Sequence, residues 1–328
     1  MQLKKLIDII ESFAPPEFAL EWDKCGIQVA GNKQEIKSIA LALDPDEQTI
    51  QKAISLQTDF LLTHHPLVLK PRLPDSPDSF HRIIKNLLIA DTILYSAHTS
   101  LDMNPRGPAA WLARELKLIS TEVLEPVFTR KAVKLNFQKP LSLSAEDLPC
   151  LDIIIRTRKN SQGMIEEIVL PPHKVDLFVS QLKKTVWPFY FLVSESPEDF
   201  QSFGLGFTGT LPEPVAFEVF TDKLKNILGL EEIIQSGDAP ENVQVISCCP
   251  GSGGVLACKA FNSGAQIFIT GDMKYHQAKE GSEHGCIMDV GHFILEEKMM
   301  FEWSLLLKHQ LIDMDIYFIE GKSPFKIL

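Results

Sequence analysis

Two stretches of this chain repeat one order of apolar runs and polar breaks, and that order restricts its fold more than any other feature. The first reads IKSIALAL, DPD, EQTIQKAISLQ and DFLLT, then breaks at His64 and His65. The second reads NVQVISCC, PGSGG, VLACKAFNSG and AQIFIT, then breaks at GDMKYH. Both follow the pattern of strand, turn, helix and strand, with Thr63 and Thr270 just ahead of the polar break. Each continues with a helical segment (HRIIKNLLIAD; YHQAKEGSEHG), another short apolar run, and a histidine with an acid four residues on: His98 with Asp102, His292 with Glu296. The expected fold is α/β, with two pseudo-repeated βαβαβ half-units forming one metal-binding core. The strands scarcely alternate apolar with polar residues, which suits sheets covered on both faces. Ligands then belong just past the carboxyl ends of strands.

A spacing of four on a helix puts both side chains on one face, so one element can offer two ligands to a metal. If the halves face each other, both pairs and the His64–His65 dipeptide meet in one cleft. Mixed imidazole and carboxylate donors favour divalent Zn, Mn, Fe, Co or Ni over Mg or Ca. His98 suits three roles: a ligand, a partner orienting Asp102, or a proton shuttle. Asp272, Lys274, Tyr275 and His276 follow a strand where His64 and His65 follow theirs. They are expected to line the same cleft, with Asp272 and His276 as substrate contacts or a general acid; Asp272 also suits a helix start. Trp22 and Asp23 could stack on and hydrogen-bond a base, but an aromatic there more often belongs to the core. Pro250 to Gly254 reads as a tight turn, and His81, His173, His284 and His309 read as surface residues.

Between the halves, residues 126–202 show no repeat match. Strand-like KAVKLNF, CLDIIIRT and PFYFLVS and an amphipathic HKVDLFVSQLKKTV make this segment too apolar to stay unfolded, and it reads as a small α+β insertion domain. The core is accordingly assigned to residues 1–125 and 203–328, with Pro212 and Pro214 leading into a helix striped by Phe217, Phe220, Leu224 and Leu228.

The formal charge of −11 over 328 residues argues against a sequence-independent grip on nucleic acid, which needs a basic surface. No run approaches the roughly 20 apolar residues of a membrane span. Leu3, Leu6, Ile7, Ile10 and Phe13 mark one face of a helix, and Asp8 and Glu11 interrupt what would be a signal core, so the expected address is the cytoplasm. The six cysteines form no CxxC and are expected as buried, reduced thiols.

The segments EWDKCGIQVAG, DFLLTHHPL, LYSAHTSLD, FGLGFTGTLPEP, ITGDMKYH and DVGHFILEE together resemble the Nif-three-like family, also labelled GTP cyclohydrolase I type-two homologues, a group of dinuclear metal-centre proteins. The insertion is similar to a PII-like or CutA-like domain of longer members. The resemblance implies one ion held by His64, Asp102 and Glu296, and a second by His65, His292 and the same Glu296. Adjacent residues on a strand point to opposite faces, which agrees with His64 and His65 serving different ions. A shared glutamate would set the ions roughly 3.5–4 Å apart, the spacing of two-metal hydrolytic sites. The resemblance further implies a homo-oligomer, a ring-shaped hexamer, and a nucleotide substrate, with GTP ring opening suggested by the family label. A two-metal phosphoesterase would use the same ligands. A non-enzymatic metal-binding scaffold or regulatory assembly is the alternative from a different class.

Overall fold

The computed structural model describes every residue except 144–147, 149–153, 187 and 327–328; the opening of the expected strand at Cys150 lies outside the described residues. The chain divides into two compact units, Met1–Pro126 with Phe203–Leu328, and Val127–Ser202.

In chain order the elements are α1 (Leu3–Phe13), β1 (Gly26–Val29), β2 (Ser38–Ala42), α2 (Glu47–Ser55), β3 (Phe60–Thr63), α3 (Ser79–Ala90), β4 (Ile93–Ser96), α4 (Thr99–Asp102), α5 (Trp111–Leu116) and β5 (Ile119–Leu141). They continue with β6 (Arg156–Lys159), β7 (Ile165–Leu170), α6 (Val175–Thr185), β8 (Phe191–Ala216), α7 (Phe217–Leu228), β9 (Ile234–Ser236), β10 (Asn242–Cys248), α8 (Ala257–Asn262), β11 (Ile267–Thr270), α9 (Tyr275–Gly281), β12 (Cys286–Asp289), α10 (His292–Gln310) and β13 (Asp315–Phe318). This is a mixed α/β architecture, in agreement with the pattern read from the sequence.

In the larger unit, β13, β2, β3 and β4 are parallel neighbours, and β1 closes the edge antiparallel to β4. A second set runs β10, β11 and β12 in parallel, with β8 antiparallel to β10 and β9 antiparallel to β12. Every residue of β2, β3, β4 and β11 is buried, which explains why these segments lack apolar–polar alternation. Strand period sorts them by face. Phe60 and Leu62 join the main core, while Leu61 packs with Ile50 and Ala53 of α2 and Ile83 and Leu87 of α3. Asp46 caps α2 by accepting from the Thr49 amide, and Asp78 caps α3 by accepting from the His81 amide.

The main core draws on both sets of strands in this unit. Leu41, Leu62 and Tyr95 pack in one cluster with Ile246, Ile269 and Met288, and α10 supplies Leu295, Met299, Trp303 and Leu307 to it. The Trp111 indole N–H donates to the Leu295 carbonyl at 3.0 Å, tying α5 to α10. Phe220, Leu224 and Leu228 of α7 are buried in the same cluster, as their spacing predicts.

Taken by itself, the smaller unit pairs β6 with β7 and β7 with β5, all antiparallel. Phe178 and Leu182 of α6 pack there with Leu135, Ile165 and Ile168.

Trp303 is fully buried near the middle of α10. Trp303→Ala is expected to destabilise the protein by about 3–5 kcal/mol, the usual range for emptying a buried aromatic site. Urea unfolding checks this as a lowered midpoint.

Candidate metal centre

β3 delivers two histidines because it runs on past its last residue. The His64 and His65 amides donate to the Ala42 and Leu43 carbonyls, at 3.2 and 3.0 Å, continuing the parallel pairing with β2. His64 shares the core-facing phase of Phe60 and Leu62 and is fully buried, while His65 is partly exposed. Beyond β4 the Ala97 amide donates to the Thr63 carbonyl, and His98 leads into α4, which carries Asp102. Gly291, at φ +84°, turns the chain into α10, so that His292 and Glu296 stand one turn apart at its start.

These side chains converge on Glu296, and they divide between its oxygens. Oε1 lies 3.6 Å from His64 Nε2, which is itself 3.8 Å from Asp102 Oδ1. Oε2 lies 3.1 Å from His65 Nε2 and 2.7 Å from His292 Nε2. Each imidazole is held from behind through Nδ1. His64 Nδ1 donates to the Ala97 carbonyl (3.1 Å), His65 Nδ1 to Asp44 Oδ1 (2.7 Å), and His292 Nδ1 to Asp272 Oδ2 (2.8 Å). A donor at Nδ1 leaves the lone pair of Nε2 aimed at the centre, the tautomer a metal requires.

Among the described residues, His64 Nε2 and Asp102 Oδ1 are buried without a hydrogen-bond partner. Leaving one such group unsatisfied costs about 1–3 kcal/mol, so the two together call for a ligand that satisfies both. A divalent cation does so, and the imidazole and carboxylate donors fit a transition metal.

In ion-free protein, protons on Nε2 take the place that a cation would fill. Burial pulls the His65 imidazole down, but hydrogen bonds to Asp44 and Glu296 outweigh it and raise the pKa to about 10. The bond to Glu296 lifts His292 to about 9. Burial pushes the Glu296 carboxyl up, yet attraction to His64 and hydrogen bonds from His292 and His65 hold it well below the usual carboxylate range. The site therefore favours positive charge around a carboxylate that stays ionised.

A sequence model of the Duf34/NIF3 (NGG1p interacting factor 3) family matches residues 1–324. The chain belongs to this family. It is 28% identical to the GTP cyclohydrolase 1 type 2 homolog of Bacillus subtilis over an alignment of 373 positions, covering 99% of this chain and 98% of that protein. It is 27% identical to the protein of the same name from Clostridium perfringens, over the whole length of both. Among solved structures, a Bacillus cereus protein related to NIF3 superposes with a TM-score of 0.80 at 22% identity, covering 100% of this chain and 99% of that one. That likeness shows a shared Duf34/NIF3 fold.

Within this family frame, the structure brings His64, His65, Asp102, His292 and Glu296 together. His98 stands beside them: its ring centroid is 5.1 Å from that of His64 and 5.5 Å from that of His65. One ring nitrogen of each of these three histidines lies within 4.8 Å of the others. His98 Nδ1 faces Asp23 Oδ2 at 3.1 Å, and its charge acts on Asp102 through space. Asp272 adopts φ +54° and accepts from His292 and from Ser252 Oγ, which places it behind a histidine, with its side chain still exposed. His276, expected in the cleft, is exposed at the start of α9 and meets the Tyr275 ring. Trp22 is 54% exposed, so it is not a core residue.

Asp44 and Gly251 escaped the sequence reading. Asp44 ends the apolar run of β2 beside the His64–His65 run, and that neighbouring strand end was its only signal. The turn at Pro250–Gly254 forms as expected, but it also walls the site: a Cβ on Gly251, at φ +68°, would collide with Glu296 Oε1.

Gly251→Ala is therefore expected to displace Glu296 and weaken metal uptake by at least tenfold with the fold retained, as checked by metal analysis alongside circular dichroism. In ion-free protein, His65 and His292 titrate near 10 and 9, above their ordinary 6.5. Their stabilising contribution is then complete below about 6.5 and is lost as pH rises through 9 to 10. The urea midpoint of ion-free protein should fall between pH 7 and pH 10, and Glu296→Gln should remove most of that fall.

Proposed function

We propose that this protein is a metal-dependent hydrolase with a dinuclear centre, acting on a nucleotide or a related small molecule. The observation that carries the reading is the division of Glu296: one carboxylate oxygen faces His64 and Asp102, the other faces His65 and His292. His64, Asp102 and Glu296 would hold one divalent transition-metal ion, and His65, His292 and Glu296 the other. Two such ions would supply an acidified water and would neutralise charge building on the substrate. Ala97, Asp44 and Asp272 fix the three ring orientations through Nδ1. His98, braced at Nδ1 by Asp23, is placed to carry a proton at its other nitrogen. Three protein ligands per ion leave room for substrate, which favours a catalytic site over a structural one.

Curated relatives bear the name GTP cyclohydrolase 1 type 2 homolog, which makes ring opening of GTP the first reaction to test. The same reading takes residues 126–202 as an insertion between two pseudo-repeated halves, and the assembly as a homohexamer. Light scattering checks the assembly.

Protein loaded in turn with Zn, Mn, Fe, Co and Ni is expected to turn over GTP or another nucleotide, with product identified by mass. Glu296→Ala should lose both ions and all turnover. Asp102→Ala and His292→Ala should each lose one ion. Retention of both ions by Glu296→Ala, or equal turnover in that variant and the wild type, would sink the proposal.

A further inference from the structure

We infer that Trp22 is a stacking platform for a flat heterocyclic ring of the substrate, built onto the rim of the metal centre. The inference deepens the hydrolase reading and rests on it for the location of the reacting group.

Large aromatic rings normally contribute by burial, and Trp111 and Trp303 do so at 3% and 0% exposure. Trp22 leaves 54% of its surface open. Its ring centroid is 5.7 Å from that of His98, with the planes crossed at 73°. His98 in turn touches the rings of His64 and His65. The open indole thus stands one side chain away from the cluster.

The turn that presents it is fastened on both sides. Before Trp22, the Leu20 amide donates to Thr99 Oγ1 at 3.0 Å, and the Asp23 amide donates back to the Leu20 carbonyl at 2.8 Å. After it, Asp23 Oδ2 accepts from the Thr99 amide (2.9 Å) and from Thr99 Oγ1 (2.6 Å), and Oδ1 accepts from the Lys24 amide (2.8 Å). Cys25 Sγ donates to Oδ2 at 3.3 Å. An exposed ring on so constrained a turn is preorganised, so a ligand that stacks on it orders little additional chain.

These contacts also define what the platform reads. Both Asp23 oxygens are occupied from within the protein, so this carboxylate is not available to the edge of a base. Recognition at Trp22 is by the flat face, and every base has one. The ligand class is a purine or pyrimidine nucleotide, or a comparable planar heterocycle, whose other end reaches the metal ligands.

The test uses full-length, ion-loaded protein, with affinities taken from rapid-filtration binding read before turnover and, in wild type, stopped-flow tryptophan emission alongside. GTP and ATP are the ring-bearing probes; ribose 5-phosphate and inorganic triphosphate are the ringless ones. GTP and ATP should quench emission and bind within a few-fold of each other. Trp22→Ala should weaken both on the order of tenfold, as base–aromatic stacking implies. Trp22→Phe should stay within about threefold of wild type, and the ringless probes should not distinguish Trp22→Ala from wild type. Equal nucleotide affinity in wild type and Trp22→Ala overturns the inference, as does wild-type protein that binds neither nucleotide. The two readings fail separately. Turnover that depends on Glu296 but not on Trp22 removes the platform and leaves the hydrolase. Binding of nucleotides that depends on Trp22, without turnover by any loaded form, keeps the platform and removes the hydrolase.

Discussion

A glutamate buried among three imidazoles is the interaction around which the larger unit is organised. Burial alone would drive the Glu296 carboxyl toward its neutral form, and the surrounding rings reverse that preference. Those rings come from elements far apart in the chain: the end of β3 supplies His64 and His65, and the start of α10 supplies His292 and Glu296 itself. Each imidazole in turn needs a second acceptor behind it, which explains why Ala97, Asp44 and Asp272 all lie at strand ends or in the turns just after them. The arrangement is costly to the polypeptide without a cation, because among the described residues His64 Nε2 and Asp102 Oδ1 are buried without a hydrogen-bond partner.

The order of elements was legible in the sequence because parallel strands buried on both faces leave long apolar runs, and turns break them sharply. FLLT and IFIT could hardly be anything else once the helices between them were seen. Spacing alone offered His98 with Asp102, His292 with Glu296 and the His64–His65 pair, and it was the family resemblance that grouped His64, His65, Asp102, His292 and Glu296 as ligands. What lay beyond reach was the layer behind them. Asp44 touches His65 across 21 positions of chain and Asp272 touches His292 across 20, so their roles depend on how strand ends align in space. Asp23 shows the same limit. Its neighbour Trp22 suggested a base, but the carboxylate is committed to Thr99, 76 residues away. His276 lies in the first turn of α9 and is exposed, while Asp272, four residues earlier, accepts from His292 at the start of α10.

Glycine at two positions belongs to the same account. Gly251 leaves space that Glu296 fills, and Gly271 lies so close to the Gly291–His292 backbone that a side chain there would collide with it. Both glycines bring the second set of strand ends against the start of α10, where polar side chains already crowd.

α10 has a double duty whose consequence is one of phase. Its first turn presents His292 and Glu296 to the cluster, and two turns later Trp303 locks into the apolar core. A helix advances about 100° per residue, so deleting or inserting one residue between Glu296 and Trp303 would rotate one function out of place whenever the other is seated. Substitutions on the outer face of that segment can accumulate freely, but its length cannot drift. The helix acts as a ruler between chemistry and packing, and the chain can change its composition there without being able to change its count.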